Sequence, residues 1–184
     1  MERTNPTLPT DVYLYLLNFA DDRTALQMLS VNKKFSDDIF FERILDRKYP
    51  YLKQFKKEDE TWRRFFVRMT YYIDKLDKEY GIPYIPTKYY DPEKFYNEWG
   101  KDSKYIYNYA MFAAAYGGYL DIVNLMIDKG AADFNMAMCL AAGKGYLDIV
   151  KCLIEKGATW FNGAMYYAAD EGHTEIVEYL EQFV

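Results

Sequence analysis

Residues 108–131, NYAMFAAAYGGYLDIVNLMIDKGA, are matched without a gap by residues 135–158, NMAMCLAAGKGYLDIVKCLIEKGA, and by residues 162–184, NGAMYYAADEGHTEIVEYLEQFV. The spacing is 27 residues: Asn108, Asn135 and Asn162 correspond, as do Met111, Met138 and Met165, then Gly118, Gly145 and Gly172. The pairs Ala114-Ala115, Ala141-Ala142 and Ala168-Ala169 recur between them. Each unit then carries an acid before an Ile-Val pair, at Asp121, Asp148 and Glu175. A fixed period in this range marks a solenoid, in which each unit buries its apolar face only against its neighbours. Such arrays present surface to partners, which argues against an enzyme.

Within each unit, apolar and small residues recur at helical spacing in two runs, around residues 110–115 and 122–127 in the first. The alanine pair permits close helix approach. Gly118 and its equivalents fall between the runs, where a tight turn favours a residue without Cβ. Asp121, Asp148 and Glu175 are expected in the first turn of the second helix, where a carboxylate complements exposed N–H groups. Lys129-Gly130 and Lys156-Gly157 close that helix. The fold class is therefore all-α over residues 105–184, as three helix–turn–helix units.

This pattern resembles the ankyrin repeat, with Ala-Met at 110–111, 137–138 and 164–165 where that family has Pro-Leu. The usual unit is about 33 residues. The deficit falls where the protruding hairpin would be, so short loops are expected at 132–135 and 159–162. Repeats shortened in this way are similar to those of large DNA viruses of amoebae. Glu178, Glu181 and Gln182 are expected to give the third unit a polar cap.

Upstream, LPTDVYLYLLNFADDRTALQMLSVNKKFSDDIFFERILDRKYP (residues 8–50) reads as three short helices. It resembles the F-box, whose pattern runs from Leu-Pro-x-Glu-Val to Val-Cys-Lys-Arg-Phe, so residues 1–50 are expected to form an F-box-like helical bundle. In that family the segment docks on the Skp-type adaptor of cullin–RING ubiquitin ligases. Carried over by position, the adaptor contacts are Leu8, Pro9, Val12, Leu16, Leu17, Leu26, Val31 and Phe41. Asp22 replaces the common Pro, and Ala20 and Ala25 replace leucines, which thins the apolar surface. The competing reading is a plain helical core that only caps the repeats.

Residues 51–104 are expected to bridge the two regions. Trp62, Phe65, Phe66, Met69, Ile73 and Leu76 give a strong amphipathic helix over residues 60–80. The Gly-Ile-Pro-Tyr-Ile-Pro stretch at 81–86 then breaks it as an extended connector. Asp91-Pro92 can open a short helix ending near Gly100.

Charge and composition narrow the function classes. Residues 105–184 hold four basic and ten acidic side chains, a net −6 that repels phosphate backbones, so no nucleic-acid partner is expected for the repeats. No apolar run approaches the roughly 20 residues that cross a bilayer, so no membrane partner is expected either. Cys139 and Cys152 imply no disulfide framework and read as core residues. His173 is the one histidine, so neither a zinc site nor a Ser-His-Asp set has support, and no catalytic residue or cofactor is assigned. A cytoplasmic setting fits, that of the host if the likeness to viral repeats reflects origin.

In a solenoid, partner specificity is sought where the units differ. On the first helices those positions include Tyr116, Leu140, Lys144, Tyr167 and Glu171; in the short loops they are Ile106, Asp133 and Trp160. The expected target-binding set is Tyr116, Leu140, Lys144, Trp160, Tyr167 and Glu171, with Trp160 and Tyr167 as anchors. The chain then reads as an adaptor joining a Skp-type subunit to an unknown target protein, or as a stand-alone repeat module.

Overall fold

The computed structural model of the chain describes residues 38–100 and 102–184. Among them every regular element is helical, and there is no strand. The helices expected before residue 38, and with them Leu8, Pro9, Val12, Leu16, Leu17, Leu26 and Val31, lie outside the described residues. The chain divides into two compact units, one up to Thr70 and one from Tyr71.

The first unit contains α1, Asp38–Lys48, and a short 3-10 turn, Leu52–Phe55. Helix α2, Trp62–Lys75, begins there and continues past Thr70. Its apolar residues Phe65, Phe66 and Met69 are fully buried, as are Leu45 and Leu52. Each such side chain is worth about 1.5–3 kcal/mol when removed from water. Phe41, expected on an adaptor-facing surface, is only 1% exposed and packs its ring 5.5 Å from that of Phe66. It serves the core of this unit. Arg68 and Glu60 form a two-pronged ion pair, with Nε 2.9 Å from Oε1 and Nη2 2.7 Å from Oε2. Arg68 Nη2 also donates to the Phe55 carbonyl at 3.1 Å, tying α2 to the preceding 3-10 turn.

In the second unit α2 widens into a π-helical turn, Leu76–Tyr80, and stops at Gly81, whose φ of 62° suits a residue without Cβ. An extended stretch leads to α3, Pro92–Lys94, whose Asp91 cap accepts from the N–H groups of Glu93 and Lys94 at 3.1 and 3.2 Å. A second π-helical turn, Phe95–Trp99, follows directly. Ile82, Ile85, Tyr90 and Phe95 are buried in one cluster with Ile106 and Ala110. Trp99 stacks flat on Tyr109, with centroids 3.8 Å apart and planes at 9°. The bridge thereby covers the face of the first repeat that has no preceding repeat.

The repeats are three helix pairs: α4, Ser103–Gly117, with α5, Leu120–Asp128; α6, Phe134–Ala142, with α7, Leu147–Glu155; and α8, Phe161–Asp170, with α9, Thr174–Glu181. The first helices pack side by side, and the second helices touch one another less. Ala114, Ala115, Ala141 and Ala142 are buried along the tighter row, where their small side chains permit close helix approach. Asp121, Asp148 and Glu175 stand in the first turns of the second helices. Ile106, expected in a loop, sits inside α4 and is fully buried, because the first repeat is entered from a helical bridge.

Two contacts repeat with the period and join neighbouring units. Asn108 Oδ1 accepts from the N–H groups of Ala132 and Asp133 at 2.8 and 3.2 Å. Asn135 Oδ1 does the same for Thr159 and Trp160 at 2.7 and 3.1 Å. These bonds hold the connectors that stand where a longer repeat would carry its hairpin. The turn glycines supply the second contact. Gly118, Gly145 and Gly172 have φ of 80°, 81° and 82°. A Cβ on Gly118 would lie 2.6 Å from the Tyr146 ring, and one on Gly145 would lie 2.8 Å from the His173 ring. The first and second units thus reach forward with an asparagine, and the second and third reach back with a ring.

Candidate protein-binding face

The first helices carry the positions at which the units differ. Toward the connector end, Tyr109 on α4 and Met136 on α6 are exposed, while the corresponding residue on α8 is Gly163. Trp160, just before α8, is 57% exposed, and its Cβ passes 3.9 Å from where a Cβ on Gly163 would be. Further along α8, Tyr166 is 69% exposed and meets Tyr167 edge to face at 5.9 Å. Tyr167 leans over Gly143 of the neighbouring unit, its Cβ 3.3 Å from the position a Cβ there would take. Leu140 is half-buried on α6. The indole and phenol rings offer large apolar area at low entropy cost, the profile of an interaction anchor.

Toward the turn end, the face becomes polar. Lys144 Nζ lies 2.9 Å from Glu171 Oε1, across the boundary between the second and third units, and 5.1 Å from the Tyr116 ring centroid. Lys88 Nζ, from the bridge, lies 5.4 Å from the same centroid, and the Tyr89 ring meets Tyr116 edge-on at 4.3 Å. Partial burial pushes the Tyr116 phenol up, but Lys88, Tyr89 and Lys144 together outweigh it and hold it below its ordinary value. The Lys144 ammonium beside Glu171 holds that carboxyl below its usual range. Tyr116, Lys144 and Glu171 therefore form one row across three units, with Tyr167 beside it. Trp160 sits at the opposite end of α8, roughly 15 Å along the axis from Glu171.

Tyr109, Met136 and Tyr166 belong to this face but were not singled out from the sequence, although they also differ from their counterparts at the 27-residue spacing. Lys88 and Tyr89 carried no signal, because they come from the bridge and meet the repeats only through the fold.

The remaining sequence candidates are structural. His173 packs on Gly145 as described above. Cys139 is buried, and burial pushes its thiol up. Cys152, expected in the core, is only half-buried on α7, with its thiol 3.4 Å from Asn124 Oδ1. Among the described residues no group of three or more His, Cys, Asp or Glu side chains could hold a metal ion. None of their helices is long and apolar enough to cross a membrane.

A family model for ankyrin repeats matches residues 107–182 in three copies, the same three helix pairs. No curated protein and no solved structure matches the chain.

Proposed function

We propose, from three ankyrin repeats whose first helices carry exposed aromatic side chains, that the chain is a non-catalytic protein-binding module. The observation that carries this reading is the exposure of Trp160, Tyr166 and Tyr167 at and along α8, beyond whose far end Glu171 pairs with Lys144. Rigid rings need little ordering on binding, and the charged end supplies orientation. The net −6 of residues 105–184 selects a basic target. Affinity for that target falls as salt is raised, because the attraction is screened beyond about 8–10 Å. Capture of the target by the full chain, repeated with Trp160→Ala and Tyr167→Ala, tests the face. Binding unchanged by both substitutions would reject it.

The finer reading makes residues 1–50 an F-box-like segment that recruits a Skp-type subunit of a cullin–RING ubiquitin ligase. Its support is the in-order match of Leu8, Pro9, Val12, Leu16, Leu17, Leu26 and Val31 to the F-box pattern. One chain would then hold a target close to a ligase and raise its effective concentration there. A pull-down with purified adaptor decides it: no complex at micromolar protein, or a complex indifferent to Leu16→Asp, leaves the repeat module standing alone.

A further inference from the structure

Over the first helices and the turns after them, residues 105–119, 134–146 and 161–173 contain one Lys or Arg, Lys144. The fold brings a second cation to it from the bridge. Lys88 Nζ lies 5.4 Å and Lys144 Nζ 5.1 Å from the Tyr116 ring centroid, and Lys88 Nζ is also 5.3 Å from that of Tyr89. Two ammonium groups thus share one ring. The phenols of Tyr116 and Tyr89 hold the Lys88 ammonium above its ordinary value, while the Lys144 charge works against it. Glu171 feels both cations, strongly from Lys144 at 2.9 Å and weakly from Lys88. The cluster owes nothing to the repeat pattern. Gly143 and Asp170 take the place of Tyr116 in the other units, and the first unit has Gly117 where Lys144 and Glu171 stand. Two like charges assembled outside that pattern, with two phenols beside them, have the chemistry of a carboxylate receptor.

We infer that the Lys88–Tyr116–Lys144 cluster is a subsite for one Asp or Glu side chain of the bound protein, and that Glu171 holds Lys144 until that side chain displaces it. The inference rests on the protein-binding reading of this face and adds to it one acidic residue within an otherwise basic target. The target's carboxylate accepts from both lysines and from the Tyr116 hydroxyl, relieves the repulsion between the ammonium groups, and releases Glu171 to water. Long-range attraction and local readout then differ in sign. The net charge of the array draws a basic target in, and the subsite fixes its register. A carboxylate suits the cluster better than a phosphate ester, because one already sits 2.9 Å from Lys144 Nζ and a nearly double charge would repel it more.

The test selects random dodecapeptides on the full chain and resynthesises the tightest binders. They should carry an Asp or Glu enriched at one position among apolar and basic residues, and their binding should also need Trp160 and Tyr167. Replacing that acid by its amide should weaken binding about tenfold on the wild-type chain, and by less than about twofold on Lys144→Gln or Lys88→Gln chains of unchanged circular dichroism. Glu171→Gln should tighten binding while Lys144→Gln weakens it. A pair that only staples two units together would make both substitutions act alike, and that result would overturn the inference. Binders that need Trp160 and Tyr167 but carry no enriched acid, or whose acid is indifferent to both lysines, would overturn the subsite alone. Binders indifferent to both rings, or no binders, would overturn the face and the subsite together. Tighter binding with phosphoserine in place of the acid would reassign the cluster to phosphate and overturn the carboxylate.

Discussion

Gly145 and Gly172 separate two costs that a structure shows together. Both have φ near 80°, so alanine at either pays the left-handed penalty of about 1–2 kcal/mol. Only at Gly145 does the added methyl meet a ring, at 2.8 Å from His173. Gly145→Ala should therefore lower the thermal midpoint more than Gly172→Ala, by an excess of about 1–3 kcal/mol of overpacking. Equal effects would show that the ring yields freely. Asn135→Ala gives the N–H groups of Thr159 and Trp160 over to water and should cost about 0.5–1.5 kcal/mol in denaturant unfolding. Asn162→Ala, which strands nothing described, should be close to neutral in the free chain.

At the scale of the element, the ion pair at the entry to α2 makes stability depend on pH with a definite sign. The hydrogen bonds from Arg68 hold the Glu60 carboxyl below its ordinary 4.5. A carboxyl whose folded pKa is depressed stabilises the fold fully above the unfolded value, and that contribution is lost as pH falls through the folded one. Glu60→Gln should thus destabilise the chain by about 1–3 kcal/mol at pH 7, with the gap to wild type closing below pH 4.5. A gap constant from pH 7 to pH 3 would refute the assignment. The helix pairs themselves were legible in the sequence, because the glycines that end each helix and the acids that start the next recur in one register. The role of the repeated asparagine was not legible, since its partners lie 24 and 25 residues away in the following connector. Nor were the π-helical turns at Leu76–Tyr80 and Phe95–Trp99, where the apolar pattern continues without a break. Of the candidate face, Trp160 and Tyr167 were readable as large residues outside the repeated pattern. Leu140 was equally variable yet is half-buried, because variation marks freedom from the repeat and not exposure.

At the scale of the whole molecule, stability is a sum of neighbour contacts, and three units are near the minimum for such a sum. Removing residues 161–184 would uncover Ala142 and take away the neighbour that packs on Gly143 and Gly145. The shortened chain should lose more ellipticity at 222 nm than the 24 missing residues account for, and its unfolding should broaden. A loss proportional to length, with a sharp transition, would mean that each pair stands unaided. The forward-reaching asparagine and the backward-reaching ring also bear on how such a chain changes length. Duplicating the second 27-residue block, which carries Asn135, Gly145 and Tyr146, would place an asparagine before the next connector and a ring over the preceding glycine at the new seam. A cut of any other size inside the array leaves an asparagine facing the wrong amides and a ring over a side chain in place of a glycine. Changes in the length of the array should accordingly come in whole blocks, with point changes tolerated best at positions outside these contacts.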